Sequence, residues 1–189
     1  MKKFFKLFFK KLIRYLLLFI KHLLRFVLKP LSFVPAIVVM YMIFSFSGQD
    51  GAASAALSYK VSSKVVTTAD ETFDLQLSYA QKESYIDRIH YYIRKCAHFT
   101  EYFILAVTIA FPLYVYGMRG IWLVLFAGAF CVGFACLDEY HQSFVAGRTP
   151  AKKDVIIDSC GAFLGIFITR IICFIGRKTV FAPLAIKRD

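Results

Sequence analysis

Predominantly apolar runs at residues 31–46, 102–118, 120–137 and 155–176 punctuate the chain. A bilayer span needs roughly 20 mostly apolar residues, so each run reads as a membrane-crossing helix. The third carries no charge, the first is short with Pro35 near its start, and the fourth contains Asp158 and Arg170. Ahead of them the pattern changes. Lys3, Lys6, Lys10, Arg14, Lys21, Arg25 and Lys29 recur at steps of three, four or seven, which puts them on one helix face. Phe and Leu fill the other face, and no uncharged run there exceeds six residues. This segment reads as an amphipathic helix lying on an anionic leaflet. It lacks the continuous apolar core and small-residue cleavage site of a signal peptide.

Composition agrees with this reading. The chain has 189 residues, is 59% hydrophobic and has a mean hydropathy of +0.60. A water-soluble domain of this size could bury one such run, but hardly four. The predicted fold class is all-α: a polytopic membrane bundle of four transmembrane helices plus an N-terminal interfacial helix. Its parts are a basic helix over 1–30, a membrane domain over 31–176 and a basic tail over 177–189. The net charge of +12 does not indicate nucleic acid, because nine of the 24 basic residues lie within 1–29, which holds no acid. Cys96, Cys131, Cys136, Cys160 and Cys173 fall in or beside spans and form no Cys-x-x-Cys pair, so they read as small apolar fillers. Gly161 and Gly165 form a Gly-x-x-x-Gly step that predicts close approach of the fourth span to a neighbour.

Basic residues stay in the cytoplasm. With the N-terminal helix inside, Arg119 and the tail residues Arg177, Lys178, Lys187 and Arg188 are also inside. Residues 47–93 are then outside, with six acids against four bases. The loop carrying Arg148, Lys152 and Lys153 runs against this rule, but thirteen basic residues at the two termini outweigh it. The expected location is a plasma membrane, multi-pass, with both termini cytoplasmic. Residues 47–51 read as a turn. Residues 52–68 have helical apolar spacing, and 78–95 show no breaker before the second span. Tyr79, Tyr85, Tyr91 and Tyr92 suit an aromatic belt at the headgroups.

Under this topology three segments deliver ionisable groups to the same outer face. Arg94, His98 and Glu101 stand at i, i+4, i+7 where the second span opens. Asp138, His141 and Gln142 share a face where the third span ends, followed by Gly147 and Arg148 in a turn. Asp154 and Asp158 lie one turn apart where the fourth begins. Lys95, Lys152 and Lys153 read as snorkelling interface residues. Short acidic side chains and His gain nothing from lipid, and intramembrane ionisable residues point to function. A purely structural salt-bridge network is the competing explanation.

His98, Glu101, Asp138, Glu139, His141, Asp154 and Asp158 include good metal ligands, but no His-Glu-x-x-His spacing organises them, and no metal is expected. Ser47 and Ser143 are candidate nucleophiles without a Gly-x-Ser-x-Gly turn. No phosphate loop or cofactor motif is present. Arg94 and Arg148 are suited to clamping a phosphate or carboxylate. A His–carboxylate pair drawn from His98, Glu101, Asp138 and Glu139 is suited to acid–base work. The expected ligand-binding set is Arg94, His98, Glu101, Asp138, Gln142, Arg148, Asp154 and Asp158.

"FSFSGQ", "RKCAHFTEY", "DEYHQSFVAGR" and "DVIIDSCGAFLG", in that order, resemble the VanZ-like family over about residues 36–175. Its Arg-Lys-x-x-His-x-x-Glu-Tyr pattern falls on Arg94, Lys95, His98, Glu101 and Tyr102. Its Asp-Glu-x-x-Gln…Gly-Arg pattern falls on Asp138, Glu139, Gln142, Gly147 and Arg148, and its later Asp and Gly positions on Asp154, Asp158, Gly161 and Gly165. The basic N-terminal helix is not part of that pattern. The resemblance implies an integral membrane protein of the bacterial envelope, with a role in resistance to the lipoglycopeptide teicoplanin. A phosphotransbutyrylase label carried by some members finds no cofactor motif here. Two function classes stay open. One is a binding protein for an amphiphile such as a membrane lipid, a cell-wall precursor or a lipoglycopeptide. The other is a membrane enzyme acting on such a molecule by acid–base or metal-assisted chemistry. Four spans make a small pathway for a transporter.

Overall fold

The computed structural model describes residues 2–179, except the side chains of residues 2–10, 21, 24 and 25. Lys187 and Arg188 of the predicted tail therefore lie outside the described residues. Among the described residues the chain is helical throughout, with no strand: α1 (Lys2–Leu31), α2 (Val34–Ser47), α3 (Gly51–Phe73), α4 (Tyr79–Val115), α5 (Gly120–Gln142) and α6 (Lys152–Lys178). The chain divides into two compact units, one ending at Pro35 and the other beginning at Ala36.

The first unit is α1. It is one continuous helix over the segment whose charge spacing predicted one. It ends at a tight turn in which the Ser32 amide donates to the Leu28 and Lys29 carbonyls. Pro35 then occupies the first turn of α2, where a missing N–H costs nothing. The first span contains the run 31–46 and is longer than it. The stretch long and apolar enough to cross a membrane is Phe26–Ser47, which begins inside α1. Lys29 within it can extend its ammonium toward the interface.

The second unit holds the other candidate spans, Tyr79–Val115, Gly120–Gln142 and Lys152–Lys178, each longer than the apolar run that announced it. α4 has 37 residues, roughly 55 Å at 1.5 Å per residue, against a hydrocarbon core of about 30 Å. Its first half meets α3, which folds back along it. Asp50 caps α3 by accepting from the Ala53 amide at 2.7 Å. Ser78 and Gln81 form a capping box at the start of α4. Between them Asp70 accepts from the Leu77 amide at 3.0 Å and pairs with Lys82 at 2.6 Å. The Leu77 amide, then Lys82, hold its carboxyl below the usual aspartate range. Val66 and Ile86 are buried in this hairpin, and the Tyr59 hydroxyl donates to Glu83 across it.

The core runs through α4, α5 and α6. Leu123, Ala127, Cys131 and Ala135 form a buried stripe at i+4 spacing on α5. Tyr102, Leu105, Ala106 and Ile109 meet it from α4, and Ala162 and Ile166 from α6. Gly161 and Gly165 lie directly against the Phe99 and Phe103 backbone, so α4 and α6 approach without intervening side chains. Large apolar side chains instead cover the outward faces, among them Tyr41, Trp122 and Phe167. That inversion of the soluble pattern suits helices surrounded by lipid. Of the cysteines read as fillers, Cys131 is buried, whereas Cys96, Cys136 and Cys160 are exposed.

Candidate functional site

The polar ends of α2, α4, α5 and α6 meet at one end of this bundle, beside the start of α3. Ser47, the last residue of α2, donates its hydroxyl to Asp138 Oδ2 at 2.8 Å. Gln142, one turn beyond Asp138, donates to the same oxygen at 2.9 Å and to Ser47 Oγ at 3.1 Å. All three side chains are buried, so this triangle fastens the end of α2 to α5. Ser47 was a candidate nucleophile, yet its hydroxyl engages a carboxylate rather than a histidine.

Arg148 makes a second fastening. Its Nε donates to the Gln49 carbonyl at 3.1 Å and its Nη2 to the Phe46 carbonyl at 3.0 Å. These carbonyls belong to the end of α2, where unpaired acceptors and the helix dipole favour a cation. Burial and the neighbouring Arg94 pull the Arg148 pKa below the usual arginine range, although arginine keeps its charge at neutral pH. The Gly51 amide donates to the Ala146 carbonyl at 3.0 Å. Gly51 and Gly147 are pressed backbone to backbone, and a Cβ on Gly51 would overlap the Gly147 carbonyl. Gly147 has a φ of 70°, in the left-handed region that glycine enters freely.

Arg94, His98 and Glu101 share one face of α4, as their spacing requires. With Arg148 and Ser47 they line a cavity of about 120 Å³, and Ser54, Leu57 and Ser58 of α3 close another side. His98 Nδ1 is 3.9 Å from Asp158 Oδ1 and 4.0 Å from Glu101 Oε2. Both separations are too long for hydrogen bonds. Asp158 is 1% exposed. Its two carboxylate oxygens, His98 Nδ1, Asp138 Oδ1 and the Tyr102 hydroxyl are buried without hydrogen-bond partners. Most buried polar atoms in proteins are paired, so this concentration of unpaired ones is unusual. No ion pair or hydrogen bond within the described residues engages Arg94, and none of the ion pairs among them involves Arg148.

The remaining candidates are placed elsewhere. Asp154 pairs with Lys95 across α4 and α6, so Lys95 is an interhelical partner and not the free snorkelling lysine its position suggested. Glu139 Oε2 accepts from the Ala151 amide at 2.9 Å and holds the start of α6. His141 stacks on Phe44 with ring centroids 4.0 Å apart. No group of three or more His, Cys, Asp or Glu among the described residues is placed to hold a metal ion. The α3 serines were not foreseen. Their only sequence signal is the small-residue helical pattern of 52–68, which does not say what it faces.

The VanZ/LLP1 family profile matches residues 32–173. The chain belongs to the VanZ/LLP1 family. No curated protein and no solved structure matches it significantly. The VanZ/LLP1 match spans every residue of the site just described, whereas all of α1 precedes it. In VanZ/LLP1 terms, the motif ending the first span meets the Gly-Arg motif after the third. The Arg-Lys-x-x-His-x-x-Glu motif lines the cavity between them. The family and the four apolar stretches together establish a multi-pass membrane protein.

Proposed function

We propose that this protein resides in the bacterial plasma membrane and binds the anionic headgroup of an envelope amphiphile in this cavity, lowering lipoglycopeptide susceptibility of the teicoplanin type. The observation that carries the reading is the pair Arg94 and Arg148, which flank one cavity beside unpaired buried acceptors and donors. A volume of about 120 Å³ is well below the roughly 300–1,000 Å³ of drug-sized pockets. It suits a phosphate or carboxylate group, with the remainder of the amphiphile left in lipid. A guanidinium offers such a group a bidentate donor fork. The test is native mass spectrometry of purified protein with envelope lipid extract. Anionic lipid adducts are expected on the wild type, and replacement of Arg94 and Arg148 by Gln is expected to weaken one bound anionic lipid about tenfold or more. Equal adducts on both proteins count against the proposal.

One observation favours turnover instead. His98 Nδ1 is unpaired within 4.0 Å of two carboxylates, an arrangement able to move a proton. The same incubation, with and without chelator, separates the readings: new lipid products that disappear in His98→Ala select an enzyme.

The basic α1 and the acidic 47–93 segment support an outer-face position for the cavity. With both termini cytoplasmic, a cysteine replacing the exposed Glu71 in a background without native cysteines is expected to react with an impermeant maleimide in intact cells. Protection at 71 combined with labelling at the N-terminus inverts the arrangement.

A further inference from the structure

At the other end of the bundle lies a second cavity that the outer site does not use. Tyr114 on α4 stands 13 residues beyond Glu101, roughly 20 Å along the helix. Tyr114, Arg119, Phe167, Arg170, Phe174 and Arg177 line a cavity of about 440 Å³ there. On α6, positions 167, 170, 174 and 177 follow i, i+3, i+7, i+10 and form one stripe that alternates aromatic and guanidinium groups. Arg119 reaches the same cavity from the α4–α5 turn, with its guanidinium 5.5 Å from the Tyr114 ring.

Three exposed cations converge here, and among the described residues no carboxylate pairs with them. The sequence holds no Asp or Glu between Tyr102 and Leu137, or from Ser159 to Arg188. Arg170 and Arg177 make no ion pair or hydrogen bond among the described residues. Interface arginines that only anchor a helix need not share a cavity. These do, and the walls between them are apolar: Phe167 is 59% exposed and Phe174 47%. Cations at a helix end beside an exposed aromatic wall match a molecule with an anionic head and an apolar tail. A free inorganic anion would use only half of these features.

We propose that this cavity is a binding site for an anionic phospholipid, with its phosphate held by Arg119, Arg170 and Arg177 and an acyl chain lying along Phe167 and Phe174. Basic pockets between transmembrane helices recognise lipid headgroups in this way. The site is independent of the outer cavity and of what that cavity binds.

The test is native mass spectrometry of the full chain in detergent, titrated with phosphatidylglycerol or with phosphatidylcholine of the same acyl chains. The wild type is expected to retain phosphatidylglycerol preferentially. Replacing both Arg170 and Arg177 by Gln is expected to weaken that adduct about tenfold or more. Replacing Lys152 and Lys153 by Gln removes the same charge at the opposite end and is expected to leave it unchanged. Equal retention of the two lipids by the wild type overturns the proposal, and that comparison needs no substitution to fold. Equal loss in the Lys152 and Lys153 variant overturns it as well. Displacement of the lipid by an equal concentration of inorganic phosphate reassigns the cavity to a free anion and also overturns it.

Discussion

Gly161→Leu is expected to produce a large loss of stability. A Cβ at Gly161 already overlaps the Phe99 carbonyl, and one at Gly165 comes within 2.5 Å of the Phe103 oxygen. Both obstacles are backbone atoms of α4, which cannot rotate aside as a side chain can. Overpacking a core that can adjust costs about 1–3 kcal/mol. Here the helices must separate, so about 3 kcal/mol or more is expected, equivalent to roughly 6–12 °C in Tm for a chain of this size. Gly128→Ala is the comparison: its Cβ meets a flexible ring, Phe163, at 2.9 Å, and a rotamer change can relieve it. A thermal melt in detergent checks both. An unchanged Tm for Gly161→Leu would show that the α4–α6 contact contributes little.

The second large effect concerns activity. His98→Ala and Glu101→Gln are each expected to abolish the protein's effect on lipoglycopeptide susceptibility while leaving its membrane level intact. The separation of function from folding rests on distances. His98 lies 3.9 Å from Asp158 and 4.0 Å from Glu101, so its removal breaks no hydrogen bond. Asp138→Ala differs, because it removes the acceptor that the Ser47 hydroxyl and the Gln142 amide share, both buried. Leaving buried polar groups unpaired costs about 1–3 kcal/mol each. Susceptibility assays with quantified membrane protein check the pair. Full activity in both variants removes the cavity from the function, and disappearance from the membrane makes the cluster a folding network.

Secondary structure was legible where the signal is local. Hydropathy located all four spans, with the run 102–118 overrunning the end of α4 at Val115, and charge spacing along residues 3–29 predicted α1. Boundaries were less legible, because a helix continues past its apolar stretch when caps and a partner helix support it. α4 begins at the Ser78 cap and its first half is packed on α3, neither of which hydropathy measures. The first span starts earlier than the run 31–46 because a span tolerates Lys29 near its beginning, while a search for uncharged residues stops there.

By itself the sequence determined that this is a multi-pass helical membrane protein, which residues of each helix share a face, and which end of each span is polar. Helix periodicity and the cost of exposing charge to hydrocarbon act within a single segment, so they can be read along the chain. Only the tertiary structure decided the partners. Ser47 and Asp138 are 91 residues apart, Lys95 and Asp154 are 59, and Arg148 and Phe46 are 102. No local rule separates the acids that fasten helices, Asp138, Glu139 and Asp154, from His98 and Glu101, which line the cavity with the two arginines. That division depends on the rotation and closeness of α4 against α6, set by two glycines and the Phe99 and Phe103 carbonyls, and on α3 folding back to bring its serines over the site.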